Sequence, residues 1–350
     1  MSTVDMSGLD QASLVTRQLP RGAEWIVAAA AAAIGGLVLV VNGSPVLAVV
    51  TGILTFVVSL PLWARFVSGS RDAVNRLVTA LVWVAFAIAM VPLVWLIWLV
   101  VSKGAAAISP EFITYSMRSV TGDEQGGLYH ALVGTLFVTG IAMVISVPVG
   151  IFSAIYLVEY GAGSKMARII TFLVDVMTGI PSIVAGLFAY ALFALILGPS
   201  RFALSGSIAL TLLMIPTVVR STEEMLKLVP NDLREASFAL GVPKWRTIAK
   251  MVLPTAIGGI ITGVVLAISR VIGETAPLLV AAGYTDSVNT SPIDGSMMTL
   301  PVFIYTQFSK FGPKNVEYAW GAALILLLLV VVLNVIARII GAIFAPKADR

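Results

Sequence analysis

Cysteine is absent from the 350 residues, and His130 is the only histidine. Disulfides, thiol nucleophiles and thiolate metal sites are therefore excluded, and too little imidazole remains for a His-based metal centre. Charge is also scarce, at 11% of residues, far below a soluble or disordered chain. No G-x-x-x-x-G-K-[ST] phosphate cradle occurs anywhere, so the chain is not itself a P-loop ATPase. What fills the composition instead is apolar: 59% of residues are hydrophobic and the mean hydropathy is +1.00. These values identify a membrane protein. The net charge of +4 then reflects Lys and Arg in cytoplasmic loops rather than a nucleic-acid partner.

A bilayer core about 30 Å thick is crossed by about 20 apolar residues in a helix, the form that satisfies the backbone within one continuous run. Eight runs qualify, near 25–41, 46–64, 77–102, 129–158, 169–197, 203–219, 252–281 and 318–343. The first two are joined only by Asn42, Gly43, Ser44 and Pro45, a turn that permits nothing but an antiparallel hairpin. Residues 1–24 contain Asp5, Asp10, Arg17, Arg21 and Glu24 and lead straight into two runs, unlike a cleaved signal peptide, so the N-terminal segment is expected to be retained. With that segment inside, the inward loops hold 16 of the 22 Lys and Arg, led by Arg220, Lys227, Arg234, Lys244, Arg246 and Lys250. Only Lys103, Arg118, Arg201, Lys310 and Lys314 fall outside, which predicts cytoplasmic termini. Pro148, Gly179, Pro181, Gly273 and Pro277 lie within runs and mark expected kinks or hinges, against the plain alternative that Gly and Pro are common in membrane helices.

The inward segment 220–254 is the most informative. Asp232 is placed to cap a short helix with Glu235 at its third position, and Gly241 followed by Pro243 stops it. Leu233, Ala236, Ser237 and Leu240 then share one face. So short a helix is marginal alone, so it packs on this chain or on a separate protein; the other reading is a solvated basic loop.

In the membrane, Arg270 is costly enough to imply a bundle interior or an aqueous cavity, and Glu274, four residues on, is expected on the same helix face. Counting from Pro254 puts Arg270 about 24 Å into the span. The pair either lines a pathway for an anion or is a self-neutralising structural pair. The Gly179-Ile180-Pro181-Ser182 interruption either exposes backbone donors and the Ser182 hydroxyl to the same cavity or is only a kink. Asp175 is expected to cap a broken helix or pair with a neighbour. The outward segments 103–128 and 282–317 carry Glu111, Asp123, Glu124, Asp286 and Asp294, suited to docking another protein or to ordinary solvation.

Glu235-Ala236, Gly241, Ile248 and Leu253-Pro254 resemble the E-A-A…G…I-x-L-P signature of ABC-importer permeases, with Ser237 in place of the second alanine. Gly179 to Val184, Ser269 to Leu279 and Leu300 to Tyr305 narrow the resemblance to PstA-type permeases of phosphate importers. The resemblance covers roughly residues 77–344. It implies an all-α, polytopic fold with a six-span type I importer core, to which an N-terminal hairpin is added. The implied domains are a cytoplasmic segment 1–24, the extra hairpin 25–66, a permease domain 77–344 with its coupling loop at 220–250, and a tail 345–350. It also implies that Asp232, Glu235, Ala236 and Gly241 couple to an ATPase, and that Arg270 and Glu274 meet the anion. The implied partners are a PstC-like second permease, two copies of a PstB-like ATP-binding subunit and a PstS-like phosphate-binding protein in a bilayer of the cell inner membrane. ATP and Mg would be bound by the ATPase, and this chain would hold no cofactor and perform no catalysis. Sulfate or molybdate transport is the alternative within the family. An autonomous ion-coupled carrier or a membrane enzyme is disfavoured by the lack of repeats, midplane carboxylate clusters and nucleophile–base pairs.

Overall fold

The computed structural model describes residues 19–120, 125–198, 200–310 and 312–344. Most of the expected N-terminal segment, the whole 345–350 tail, Asp123 and Glu124 lie outside them. The described residues form helices and connecting turns with no strand, in two compact units, Met1–Trp98 and Leu99–Arg350.

The first unit holds α1 (Ala23–Asn42), α2 (Pro45–Val67) and most of α3 (Ser70–Ala107). The expected hairpin is present. Gly43 takes the left-handed φ of 66° that ends α1, and the Ser44 hydroxyl accepts the Leu47 N–H to start α2. Gly35 faces the Ala48 carbonyl and Gly52 faces that of Ala31, so the two backbones approach more closely than larger side chains would allow. Val27, Leu60 and Ala80 make a small core with Phe56 and Trp63. Most of the remaining surface is exposed apolar side chain, as a lipid-facing helix requires.

The second unit is built around α8 (Ala203–Lys227), flanked by α5 (Tyr129–Ile155), α11 (Leu253–Val271) and α14 (Pro313–Phe344). Of the candidate spans, α8 alone is mostly covered by its own chain, 61% against at most 28% elsewhere. That position explains its polar content: the Ser207 and Thr211 hydroxyls are buried and donate back to the Ala203 and Ser207 carbonyls at 2.9 and 2.8 Å. Gly150 of α5 abuts Val218, and Gly259 and Gly263 of α11 abut Met225 and Ser221. At each of these points a Cβ would collide with α8.

Among the described residues, seven helices are long and apolar enough to span a bilayer. The run 169–197 is not one continuous helix. It divides into α6 (Lys165–Thr178) and α7 (Ser182–Leu197), which meet at 109°. Pro181 lacks an N–H and drives Ile180 out of helical backbone, so Gly179 and Pro181 mark the real bend. The run 252–281 breaks as well: α11 ends at Val271, Gly273 lies in the break, and α12 (Ala276–Ala281) starts anew with Pro277 in its first turn. Pro148, by contrast, sits inside an unbroken helix, and the expected hinge there is not a break.

At the far end of this unit, α4 (Pro110–Thr114), α12 and α13 (Leu300–Ser309) fold over the bundle. The expected outward loop 282–317 is thus partly a packed plug. Leu300, Val302 and Phe303 are fully buried, and the Leu300 N–H donates to the Thr135 hydroxyl at 2.7 Å. Asp286 and Asp294 stay exposed there.

Candidate functional site

At the opposite end, α8 is followed at once by α9 (Asn231–Ala239), the short helix expected from the sequence. Asp232 does not cap it. Pro230 occupies the cap position, and Asp232 stands in the first turn, where its charge favours the helix dipole without forming a capping box with Glu235. The stop is as expected. Gly241 adopts φ 73°, its N–H reaches the Phe238 carbonyl, and the Val242 N–H reaches that of Ser237, a paired closure that requires a left-handed residue.

What holds α9 to the bundle is Arg234, which the sequence reading counted only as a loop charge. All five guanidinium N–H groups are used. Nε and Nη2 donate to Glu159 Oε1 at 3.0 and 2.8 Å, Nη1 to the Val229 carbonyl and Asn231 Oδ1, and Nη2 also to the Leu226 carbonyl. Glu159 is buried in the π-helical turn Tyr156–Tyr160 that ends the α5 span. One arginine thus satisfies the free carbonyls at the end of α8 and ties α9 to α5. The available signal was an acid at the last turn of an apolar run, opposite a basic loop. A second tie joins the buried Ser237 and Thr247 hydroxyls, 2.8 Å apart, with Thr247 in α10 (Lys244–Thr247). Ser237 therefore does not share an outward face with Leu233, Ala236 and Leu240. It faces the bundle, and the other three are exposed.

Removing one partner from a buried, hydrogen-bonded pair costs about 3–5 kcal/mol. Arg234→Ala is expected to lower the thermal stability of the purified chain on that scale. Arg234→Lys should recover little, because an ammonium supplies three donors, not a five-donor fork. Glu159→Ala combined with Arg234→Ala should cost less than the sum of the two singles.

The second feature is a cavity of about 270 Å³ between α6, α8 and α11, lined by Thr178, Thr217, Arg220, Ser221, Glu224 and Arg270 among others. Arg220 is committed to carboxylates: it pairs with Asp175 and, at 2.9 Å, with Glu223, which also holds Lys227 at 2.7 Å. Asp175 is thereby placed as a neighbour's partner, as expected. Arg270 has no carboxylate partner among the described residues, and its one hydrogen bond is to the Thr217 hydroxyl at 3.5 Å. The alternative of a self-neutralising pair with Glu274 is not realised among the described residues. The helix ends at Val271, so the four-residue spacing no longer places both on one face, and Glu274 does not line the cavity. Arg270 sits deep on α11, yet helical side chains lean toward the helix N-terminus, which carries its guanidinium back toward Thr217 and the α9 end. Ser182 lies in the first turn of α7, just beyond Ile180, and is not in the cavity wall.

The cavity thus holds one guanidinium with no carboxylate partner among the described residues, and the outer side chains of α9 make no hydrogen bond or ion pair among them. Residues 146–350 match the family described as binding-protein-dependent transport system inner membrane component. The chain belongs to that family. Curated relatives extend the likeness to most of the inner membrane component's length. Phosphate transport system permease protein PstA 1 of Mycobacterium tuberculosis (strain ATCC 25618 / H37Rv) is 46% identical over 282 residues, covering 80% of this chain and 91% of the relative. The PstA proteins of Mycobacterium leprae (strain TN) and Pasteurella multocida (strain Pm70) are 48% and 39% identical, covering 82% and 80% of this chain and 93% and 97% of theirs. Among solved structures, an inward-facing MetNI methionine ABC transporter chain aligns with a TM-score of 0.51 at 21% identity, over 63% of this chain and 95% of that one. That likeness is one of fold.

Proposed function

We propose that this inner membrane component is the PstA-type permease subunit of an ATP-driven phosphate importer, moving inorganic phosphate into the cytoplasm. The observation that carries the reading is the 46–48% identity, over four-fifths of the chain, to relatives named as phosphate transport permeases. In this reading the chain moves its substrate without transforming it. Both termini and α9 face the cytoplasm, in line with the inward excess of Lys and Arg.

The outer face of α9 is the contact for an ATP-binding subunit. Leu233, Ala236 and Leu240 form an apolar edge and Asp232 and Glu235 an acidic one. None of these side chains has a hydrogen bond or ion pair within the described residues beyond those of the helix itself. A two-state displacement there reorients the packed spans. Two such ATPase subunits, holding ATP and Mg, drive this chain and a PstC-like second permease. The end bearing α12, α13, Asp286 and Asp294 receives a PstS-like binding protein, because its acidic groups repel a free anion but can meet cations on a partner. Arg270 replaces part of the hydration that phosphate loses in the cavity.

The test is reconstitution. Vesicles carrying this chain with its second permease, the ATP-binding subunit and the external binding protein should accumulate radiolabelled phosphate only with ATP, and sulfate and molybdate should not compete. Accumulation by vesicles carrying this chain alone, or competition by sulfate, would sink the reading.

A further inference from the structure

In the first unit, independently of the transport reading, two hollows lie side by side with two lining residues in common. An apolar groove of about 440 Å³ is lined by Ala28, Gly52, Phe56, Trp83 and Ala87 of α1, α2 and α3. A polar hollow of about 720 Å³ is lined by Arg21, Ser68, Arg71, Asp72 and Arg76. Glu24 and Trp25 line both, so the groove and the hollow adjoin at those two residues. Both carboxylates are taken, since Arg76 pairs with Glu24 and Asp72. Arg21 and Arg71 have no ion pair among the described residues, and the buried Ser68 hydroxyl has no hydrogen-bond partner there.

We infer that this composite cleft binds an anionic phospholipid, with one acyl chain in the groove and the phosphate between Arg21 and Arg71, within reach of the Ser68 hydroxyl. An apolar slot alone would fit any lipid. The two uncommitted guanidiniums at its mouth select an anionic headgroup, because basic pockets between membrane helices bind such groups by charge and hydrogen bonding. Trp25, 80% exposed at the junction, stands where interfacial tryptophans anchor at headgroup depth.

Native mass spectrometry of the full chain in detergent, offered phosphatidylglycerol and phosphatidylcholine in equal amounts, reads the site directly. The wild-type chain retains one phosphatidylglycerol in preference. Two cations near a membrane surface each favour an anionic lipid about fivefold, so Arg21→Gln with Arg71→Gln lowers the preference by about thirtyfold. The Arg21→Lys, Arg71→Lys double variant keeps most of it and controls for folding. Ala87→Trp, at an exposed position, fills the groove and reduces phosphatidylglycerol retention while the arginines stay in place. Equal retention of the two lipids, or an unchanged preference in the glutamine variant, overturns the inference. Displacement of the lipid by inorganic phosphate would mark a free-anion site instead. Stronger lipid retention after deletion of residues 1–18 would make that segment the native occupant. Either result also overturns it.

Discussion

Arg270→Gln is expected to lower phosphate uptake by about a hundredfold in the reconstituted importer while leaving subunit assembly unchanged. A hydrogen bond to a charged group contributes about 1.5–3 kcal/mol, and near the upper end its loss corresponds to about two orders of magnitude. The expectation rests on the guanidinium having no carboxylate to satisfy it among the described residues, so that a passing anion becomes its partner. Three companion variants separate this from a structural role. Glu274→Gln should cost little, because Glu274 does not line the cavity. Thr217→Val removes the one hydroxyl that positions the guanidinium and should reduce uptake less than Arg270→Gln does. Arg270→Lys keeps the charge but not the planar fork and should fall between wild type and Arg270→Gln. Normal uptake by Arg270→Gln, measured as initial rate against phosphate concentration, would return Arg270 to a packing role.

The second large effect is at α9. Leu240, 83% exposed, stands at the end of the apolar edge it forms with Leu233 and Ala236. Burying a leucine against a partner is worth about 1.5–3 kcal/mol, so Leu240→Asp should weaken co-purification of the ATP-binding subunit by more than about tenfold. Uptake should fall with it. The isolated chain should keep its thermal stability, because Leu240 contributes little to its own fold. Arg234→Ala should behave in the opposite way, destabilising the chain first. A Leu240→Asp chain that still retains the ATPase at wild-type strength would move the docking surface elsewhere.

Apolar run length marked α1, α2 and α5 to within about three residues, and the middles of α3 and α14, which begin seven and five residues earlier than their runs, because a span's position is decided by one-dimensional hydropathy. The α9 stop was legible for the same local reason: only glycine enters the left-handed turn at position 241 cheaply. Misreadings came where one-dimensional rules met a third dimension. The breaks between α6 and α7 and after α11 fall at the expected Gly179–Pro181 and Gly273–Pro277 positions, but the 109° angle and the loss of a shared face between Arg270 and Glu274 were not legible, since hydropathy reports burial and not direction. The capping box failed because the helix starts two residues earlier than expected, with Pro230 at the cap, which moved Asp232 inside it.

The amino-acid sequence by itself determined that this is a helical membrane chain with a short helix between two spans, and its motifs pointed to the permease family. Only the tertiary structure decided that Ser237 faces inward, that Arg234 joins α9 to Glu159, and that Arg270 is paired with a hydroxyl rather than with Glu274. The reason is distance along the chain. Glu159 and Arg234 are 75 residues apart and Thr217 and Arg270 are 53, so no periodicity or spacing rule brings them together. Their meeting depends on which helices pack against α8, and that is settled by the glycines that let α5 and α11 close on it.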